Sequence, residues 1–370
     1  MNNELFYGIA LKQLKGVGDS NAKELISYAG SAEQLFRLPP RKLKKIKGVG
    51  AALIHAFEDT YGALLRAEQE LKFIAQHNIQ TLFYYDKRYP KRLLNCADAP
   101  LYLFCKGEFN FNNERFVNIV GTRRATVYGR ALTEKMIEDL AAFNVTLVSG
   151  LAYGIDICAH KAALKYNLQN IAVLAHGLDR IYPIVHKGVA RSLQQNGAIV
   201  SDFLSGTNPD RQNFPSRNRI VAGMTDATIV IESAITGGAL ITADIANSYH
   251  KDVFAFPGRV QDEFSEGCHQ LIKDHKAHLV TSARDIITIM GWDEEESYAE
   301  KKSIVQSQLL LALDDAEKSV VGLLKDGNQL GIDKLCLLAG VSQGLMANIL
   351  LQLEMKGVVQ SLPGKFFKLS

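Results

Sequence analysis

The amino-acid sequence predicts a protein of the α/β class, with a parallel sheet covered by helices on both faces and a smaller unit at each end. Three observations predict it. Short, continuous apolar runs alternate with helical patterns from residue 115 to residue 290, which is typical of a buried parallel sheet. A glycine-containing pentapeptide occurs twice near the N-terminus. The segment 307–370 has the pattern of three helices followed by a hairpin.

Composition limits the possible functions. The 370 residues, of which 47% are hydrophobic, suffice for about two or three domains with substantial cores. The net charge of +3 means that any nucleic-acid contact depends on local clustering of charge. The cysteines are scattered without a C-x-x-C pair, which argues against a zinc site and a disulfide framework. We expect neither a metal nor a cofactor. Without a signal peptide or a long apolar run, we expect a cytoplasmic protein with no membrane contact.

The N-terminal repeat consists of Leu14–Gly18 and Ile46–Gly50, and each copy precedes a short amphipathic stretch. This is the helix-hairpin-helix pattern, in which glycines allow a tight turn and their N–H groups can hold a DNA phosphate. The basic run Arg41–Lys47 lies between the copies. Residues 1–70 are therefore predicted to be either a DNA-binding helix-hairpin-helix (SAM-like) unit or a helical bundle that uses glycine turns as connectors.

Residues 71–290 contain the predicted sheet. Strand patterns at 79–85 and 101–105 are expected to extend the sheet or to pack on it. The strands that follow are predicted at 116–120, 145–148, 171–174, 198–201, 227–231 and 252–256. Because ligands bind at the carboxyl ends of parallel strands, the loops at those ends are expected to converge on one rim. These loops carry Arg123, Ser149–Gly150, Arg211–Phe214 and Gly237–Gly238.

The segment Asn213–Arg219 gives the strongest chemical signal in the chain. It places Phe214 and two arginines at the predicted start of a helix, with Arg211 just before them. Arginine forks suit phosphate, an exposed phenylalanine suits base stacking, and helix N–H groups add affinity for anions. The segment therefore indicates a nucleic-acid or nucleotide site. The alternative is an arginine-rich helix start whose phenylalanine belongs to the core.

Four titratable residues near strand ends are candidates for catalysis: Asp156, His160, Asp179 and Glu232. Each is more simply a capping or loop-fixing residue. We expect His160 to be a packed core histidine and Glu232 to hold one of the arginines in place. The chain contains no Walker A motif and no set of residues with metal-ligand spacing, so no catalytic residue is predicted.

The C-terminal part is predicted to be a separate unit. Residues 291–306 are charged and are typical of a linker. After them, helices at 319–325, 332–339 and 343–356 precede a hairpin with a turn at Pro363–Gly364, which together make a winged helix over 307–370. The third helix carries only one basic residue, Lys356, whereas a helix that reads duplex DNA normally carries more. We therefore favour an accessory or protein-docking role over readout of the major groove.

Several blocks of the sequence, in order, resemble the bacterial DNA-processing protein A (DprA/Smf) family. The resemblance covers residues 70–300 almost without a gap. The blocks are Val117–Arg124, Ser149–Asp156, Gly177–Asp179, Asn213–Gly223, Gly237–Ala243 and Phe256–Gly258. The resemblance implies a Rossmann-like domain that binds single-stranded DNA, protects it and loads the recombinase RecA during natural transformation. It also implies a homodimer formed through that domain.

The resemblance further implies which residues contact DNA. Arg123 and Arg211 match phosphate-binding positions, although the family more often has lysine at the second, and Phe214 matches the residue that stacks on a base. The full predicted interface is Gly121, Arg123, Ser149, Gly150, Arg211, Asn213, Phe214, Arg217, Asn218, Arg219, Gly237 and Gly238. The chain departs from the family at His176, which is expected either to narrow the rim or to pack against the neighbouring loop.

Two other interpretations of the function remain open. Rossmann-like hydrolases that cleave the base–ribose bond of nucleoside monophosphates share a glycine-rich loop before a helix. Those enzymes carry P-G-G-x-G-T-x-x-E where this chain has Ala234–Ala243, which lacks both the proline and the glutamate. A plain scaffold that bridges recombination proteins is the other reading. A scaffold would not need Arg123, Arg211 and Phe214 on one rim.

Overall fold

The computed structural model describes residues 3–46, 49–107, 109–293, 313–324, 329–356 and 358–369. The chain divides into two compact units, Met1–Ile286 and Ile287–Ser370. The boundary expected at residue 70 lies inside a helix, Tyr61–Gln76, so the N-terminal helices and the sheet belong to one unit.

Six helices open the first unit. They are α1 (Asn3–Gln13), α2 (Asp19–Ala29), α3 (Ala32–Phe36), α4 (Pro40–Leu43), α5 (Ala51–Glu58) and α6 (Tyr61–Gln76). Gly18 and Gly50, the last glycines of the two repeat copies, are the N-cap residues of α2 and α5. Residues 47 and 48 of the second copy lie outside the described residues.

The start of α2 packs on the sheet. Asp19 accepts a hydrogen bond from the backbone N–H of Leu101 and forms ion pairs with Lys12 and Arg219. The Ser20 hydroxyl donates to the carbonyl oxygen of Ala97. The helix start of the first repeat copy thus carries a carboxylate that joins α2 to the sheet, and a carboxylate repels phosphate, which favours the connector interpretation for this copy.

A nine-stranded sheet follows the N-terminal helices. Its strands are β1 (Gln80–Phe83), β2 (Tyr102–Lys106), β3 (Phe116–Val120), β4 (Thr146–Ser149), β5 (Asn170–Val173), β6 (Gly197–Ser201), β7 (Ala227–Val230), β8 (Asp252–Ala255) and β9 (His278–Leu279). Their order is β1-β2-β6-β5-β4-β3-β7-β8-β9. Strands β3 to β9 pair in parallel, whereas β1 and β2 pair antiparallel at the β6 edge. The mostly parallel sheet is confirmed, and the strands predicted at 79–85 and 101–105 extend it as β1 and β2.

Helices cover both faces of this sheet, as a sheet with buried strands requires. They are α7 (Lys91–Leu94), α8 (Val127–Ala141), α9 (Ile155–Lys165), α10 (Lys187–Leu193), α11 (Asn213–Gly223), α12 (Gly238–Ser248), α13 (Glu266–Lys273) and α14 (Ala283–Ile289). Neighbouring residues of β5 point to opposite faces. Ala172 packs in the core shared with the N-terminal helices and α10, whereas Ile171 and Val173 pack in the core beside α11.

The second unit contains a winged helix. Its helices are α15 (Asp315–Leu324), α16 (Ile332–Ala339) and α17 (Gln343–Met355), and its strands are β10 (Leu330–Gly331), β11 (Val359–Leu362) and β12 (Phe366–Leu369). Leu324, Leu335, Met346 and Leu353 form its core. The turn at Pro363–Gly364 joins β11 and β12 as predicted, and most of the predicted linker, 294–306, lies outside the described residues.

No single helix among the described residues is long and apolar enough to cross a membrane. The bent pair Ile332–Ala339 and Gln343–Met355 meets the length and composition criteria together, with a bend of 107° at the break.

His160 lies in the core, as expected. Its side chain is fully buried on α9, and Nδ1 lies 2.6 Å from the side-chain oxygen of Asn170 on β5. The side-chain nitrogen of Asn170 in turn donates to the carbonyl oxygen of His160. Burial lowers the pKa of His160 from 6.5 to about 4. The imidazole is therefore neutral at physiological pH and fastens α9 to the sheet.

We predict that the protein loses stability on mild acidification because of this histidine. The unfolded chain takes up a proton near pH 6.5, whereas folded His160 does so only near pH 4. The free energy of unfolding should therefore fall by about 2 kcal/mol between about pH 7.5 and about pH 5 relative to His160→Gln, which cannot titrate. Urea unfolding of both proteins measures it. Parallel pH profiles would contradict the assignment.

Candidate nucleic-acid interface

Arg123 and Phe214 meet at the carboxyl end of the sheet. Arg123 follows β3 and is exposed, and its Cζ atom lies 4.9 Å from the centroid of the Phe214 ring. Phe214 is half-buried at the start of α11, where Tyr182 lies 6.4 Å away between ring centroids. No carboxylate lies within 4.0 Å of the Arg123 guanidinium among the described residues. The pair therefore offers a charged fork that lies over an aromatic ring.

A shallow depression surrounds this pair, and we call it the stacking depression. It is lined by Arg123, Gly150, Ala152, Tyr153, Leu174, Ala175, His176, Tyr182, Pro183, Phe214 and Arg217. These residues come from the ends of three neighbouring strands, β3, β4 and β5, and from α11. The expected convergence of loops is thus seen for Arg123, Gly150 and Phe214.

Arg217 lines the depression but is almost fully buried. It is 4% exposed, and its Nη1 atom donates to the carbonyl oxygens of Gly150 and Val173 at 2.5 and 2.6 Å. Burial lowers the pKa of Arg217 to about 10, while Asp156 opposes that shift. Its Cζ atom lies 5.9 Å from the Phe214 ring centroid. Arg217 therefore lies close to the aromatic ring and joins α11 to the ends of β4 and β5.

Asp156 binds the backbone N–H of the same residue, Gly150, whose carbonyl oxygen Arg217 binds. Its Oδ2 atom accepts hydrogen bonds from the backbone N–H groups of Gly150 and Ala152. Burial raises the pKa of Asp156, while Arg217 opposes that shift. A side chain at position 150 would displace the Arg217 guanidinium from its hydrogen bonds, so glycine suits this position. The loop after β4 is thus fixed between a buried carboxylate and a buried guanidinium, and Asp156 fixes a loop as expected.

The loop after β5 closes the depression. His176 is buried, its Nδ1 atom lies 2.9 Å from the carbonyl oxygen of Gly177, and its Nε2 atom accepts from the backbone N–H of Tyr182. Burial lowers the pKa of His176. Of the two expectations for this residue, packing against the neighbouring loop is the one that the structure shows. Its neutral imidazole sets the position of Tyr182 beside Phe214.

Sequence reasoning missed Tyr153 and Tyr182 as rim residues. Both are nearly half exposed, at 46% and 44%. Tyr182 follows β5, and Tyr153 follows β4, so the rule that placed Arg123 on the rim also applied to them. Two further aromatic surfaces therefore flank Phe214.

The remaining predicted residues divide into three groups. Arg211 is exposed just before α11, and the Asn213 side chain donates to the carbonyl oxygen of Asn208, which fixes the start of that helix. Ser149 is buried and donates to the carbonyl oxygen of Ile119, and Gly121 packs against Ile155. The third group, Gly237 and Gly238, precedes and starts α12 after β7 and is not among the residues that line the depression.

Arg219 faces the N-terminal helices. It forms ion pairs with Asp19 on α2 and Asp202 after β6, at 2.9 and 2.8 Å. Asn218 accepts a hydrogen bond from Arg217 Nε. The internal contacts of Arg217 and Arg219 show that both have structural roles. We therefore do not include them among the residues proposed to contact DNA.

The expected role of Glu232 is wrong. Instead of holding an arginine, its carboxylate accepts hydrogen bonds from the backbone N–H and the hydroxyl of Thr126. Thr126 caps α8 by accepting from the Gly129 N–H. The carboxylate therefore braces the start of a helix, an arrangement that also suits the helix dipole. As expected for a loop-fixing residue, Asp179 accepts from the backbone N–H of Gly206.

Comparison with known proteins agrees with this architecture. Residues 80–291 match the family described as DNA recombination-mediator protein A, and residues 306–365 match the DprA winged helix domain. The chain is 35% identical to protein Smf of Escherichia coli over 82% of this chain and 80% of that protein. It is 40% identical to DNA processing protein DprA of Streptococcus pneumoniae over 55% of this chain and 71% of that protein.

Solved structures give the same result. The X-ray structure of DprA from Streptococcus pneumoniae matches with a TM-score of 0.68 and 32% identity, over 76% of this chain and 97% of that chain. The Helicobacter pylori protein, described as having a unique single-stranded DNA binding mode, matches with a TM-score of 0.53 and 29% identity. That match covers 58% of this chain and 96% of the other.

The sheet, the winged helix and these matches define a DNA-binding recombination mediator. The chain belongs to the DNA-processing protein A (DprA/Smf) family. Family members process DNA in transformation and recombination.

We predict that replacing the two arginines nearest Phe214 has very different effects on stability. Arg217→Ala should lower the free energy of unfolding by about 3–5 kcal/mol, because the buried carbonyl oxygens of Gly150 and Val173 lose their donor and buried Asp156 loses a nearby positive charge. Arg123→Ala should change it by less than about 0.5 kcal/mol, because that side chain is exposed. Urea unfolding at neutral pH measures both, and equal losses would show that the assignment of interior and surface arginines is wrong.

Proposed function

We propose that this protein binds single-stranded DNA in the stacking depression, protects it and delivers it to the recombinase RecA in the cytoplasm. A single observation carries the proposal. The exposed guanidinium of Arg123 lies 4.9 Å from the Phe214 ring centroid, so one nucleotide can place its phosphate on the arginine and its base on the ring. A paired base in a duplex has no free face for this ring, which favours the single strand.

Arg211 adds charge on the approach to the depression. It is exposed three residues before Phe214, and no ion pair engages it among the described residues. Tyr153 and Tyr182 offer neighbouring faces for adjacent bases. The contacts that we propose for DNA are therefore made by Arg123, Arg211 and Phe214, with the two tyrosines beside them. Stacking and phosphate contacts of this kind bind a strand with little sequence preference.

Loading of RecA and formation of a homodimer are proposed from family membership. The sheet offers one feature that supports a dimer. It ends at β9, an edge strand in which Leu279 is 52% exposed. Open edges are ready to pair with another chain. In a dimer, one strand could engage two depressions, which raises avidity without new contacts.

We propose no catalytic step. The buried titratable side chains around the depression, Asp156, His176 and Arg217, are occupied in fixing loops. The hydrolase reading requires a glutamate in the segment Ala234–Ala243, and that segment has none. Release of a free base from a nucleoside monophosphate would favour the hydrolase reading over this proposal.

We expect replacement of Phe214 to test base stacking directly. Phe214→Leu should weaken binding of an oligothymidine by about 1–3 kcal/mol, because a leucine offers no aromatic face. Phe214→Trp should bind as well as the natural residue. Leu65→Ala, which removes a 42% exposed apolar side chain on α6, serves as the control. Fluorescence anisotropy measures affinity.

The same variants test delivery to RecA. RecA assembly on the strand should fall in Phe214→Leu in proportion to the lost DNA occupancy and remain normal in the control. Normal binding by Phe214→Leu would refute the stacking site. Lost RecA assembly despite normal DNA binding would place the RecA surface at this residue instead.

For the winged helix we propose protein docking rather than duplex readout. The Lys356 ammonium forms an ion pair with Glu317, which is 1% exposed, so the basic residue that ends α17 is already engaged. The exposed side of α17 has no lysine or arginine, and it carries three large apolar residues: Leu345, Leu351 and Met355 are 51%, 56% and 82% exposed. A face without positive charge suits a protein partner better than phosphates.

Replacement of Lys356 should therefore affect stability and not duplex binding. Lys356→Met leaves Glu317 buried without its partner and should lower the melting temperature of the winged helix. The affinity of the full chain for a duplex oligonucleotide should stay unchanged. Thermal unfolding and a duplex titration measure the two effects. Weaker duplex binding at an unchanged melting temperature would favour major-groove readout.

A further inference from the structure

The two arginines after β3 reach two different aromatic rings. Arg123 lies over Phe214, and the Cζ atom of Arg124 lies 5.4 Å from the centroid of the Phe264 ring. Phe214 sits beside the ends of β4 and β5, whereas Phe264 follows β8, and these strands lie on opposite sides of β3. Adjacent Cα atoms are about 3.8 Å apart. One backbone turn therefore supplies a guanidinium to an aromatic ring on each side.

Arg124 resembles Arg123 in its surroundings. It is exposed, and within the described part of the chain no carboxylate lies within 4.0 Å of its guanidinium. Its backbone N–H donates to the Thr122 hydroxyl, and the Thr122 N–H donates to the carbonyl oxygen of Glu232 at the end of β7. The segment that carries both arginines is thus tied to the sheet.

Backbone hydrogen bonds fix the segment that carries the Phe264 side chain. The carbonyl oxygen of Phe264 accepts a 2.6 Å hydrogen bond from the Ser233 N–H, and the Gly267 N–H donates to the carbonyl oxygen of Ser233. A side chain at Gly267 would come within 2.6 Å of the Ala234 carbonyl oxygen, so the close approach needs glycine. The half-buried ring therefore has a defined position at the end of β7.

We propose that Arg124 and Phe264 form a second stacking station, which takes a further nucleotide of the strand held in the stacking depression. This inference rests on the proposed function and extends it. Arg124 would bind the phosphate, and Phe264 would stack on the base. The strand then crosses the carboxyl ends of the sheet from β5 towards β8.

The charges around the second stacking station differ from those around the stacking depression. Asp262, Glu263 and Glu266 are exposed beside Phe264 in the chain, and they repel phosphates. The second station therefore holds a base more weakly than the depression does. A strand too short to reach it is bound by the depression alone.

Oligonucleotide length tests the proposal. Wild type, Phe264→Leu, Arg124→Ala and Phe214→Leu are titrated with oligothymidines of about 5 and about 20 nucleotides. Phe264→Leu and Arg124→Ala should bind the longer strand about tenfold more weakly and the shorter one normally. Phe214→Leu should weaken both. Phe264→Tyr, which keeps an aromatic face, should match wild type.

The outcomes separate this proposal from the proposed function. If wild type shows no preference for single strands over duplex, the proposed function fails and the second station fails with it. If wild type binds both strands but Phe264→Leu equals wild type on the longer one, only the second station is overturned. Equal weakening on both lengths would also overturn it, because the ring would then not act separately.

A charge-neutralising pair keeps the test valid if Phe264→Leu fails to fold. Asp262→Asn with Glu263→Gln removes repulsion at exposed positions and should strengthen binding of the longer strand about threefold, with no change on the shorter one. Photocrosslinking of wild type to iodouracil-containing strands should yield adducts in peptides with Phe214 and with Phe264. Unchanged affinity of this variant, or adducts at Phe214 alone, would overturn the proposal.

Discussion

The structure of the interface depends on one buried contact, at Gly150. The carbonyl oxygen of Gly150 accepts a hydrogen bond from the Arg217 guanidinium, and the N–H of Gly150 donates to Asp156. A buried charge is costly unless hydrogen bonds and an opposite charge compensate it, and both are present here. The contact joins α11 to the ends of β4 and β5, and it leaves the Phe214 ring close to the guanidinium. The exposed aromatic surface is therefore held from inside the protein, so DNA would meet a site that needs little rearrangement.

Helix α11 connects three parts of the first unit because its side chains point in different directions. Residues two positions apart on a helix differ by about 200°, whereas residues three apart lie on nearly the same side. Arg217 accordingly shares a side with Phe214, and Arg219 points to Asp19 on the N-terminal helices. The N-terminal helices thus help to fix the helix that carries the stacking residue.

Much of this architecture could be predicted from the sequence, because buried parallel strands are continuous apolar runs and ligands bind at their carboxyl ends. The positions of β3 and of Arg123 followed from these two rules. The directions of side chains did not, since a motif rich in arginine does not reveal which guanidinium finds a carbonyl oxygen inside the protein. Glu232 was assigned to the wrong partner for the same reason. The rule for strand ends also covers Tyr182, but its place beside Phe214 depends on a hydrogen bond from its N–H to buried His176, which the sequence does not reveal.

The central claim is that the exposed charge and ring at the end of the sheet select single-stranded DNA. The most direct measurement compares binding of one oligonucleotide, single-stranded and in its duplex, at two salt concentrations, by wild type and Arg123→Ala. Arg191→Ala, an exposed arginine on α10, serves as the control. The account predicts a clear preference for the single strand and a salt dependence that is lower by about one phosphate contact in Arg123→Ala only. Equal binding of strand and duplex, or an unchanged salt dependence in Arg123→Ala, would contradict it.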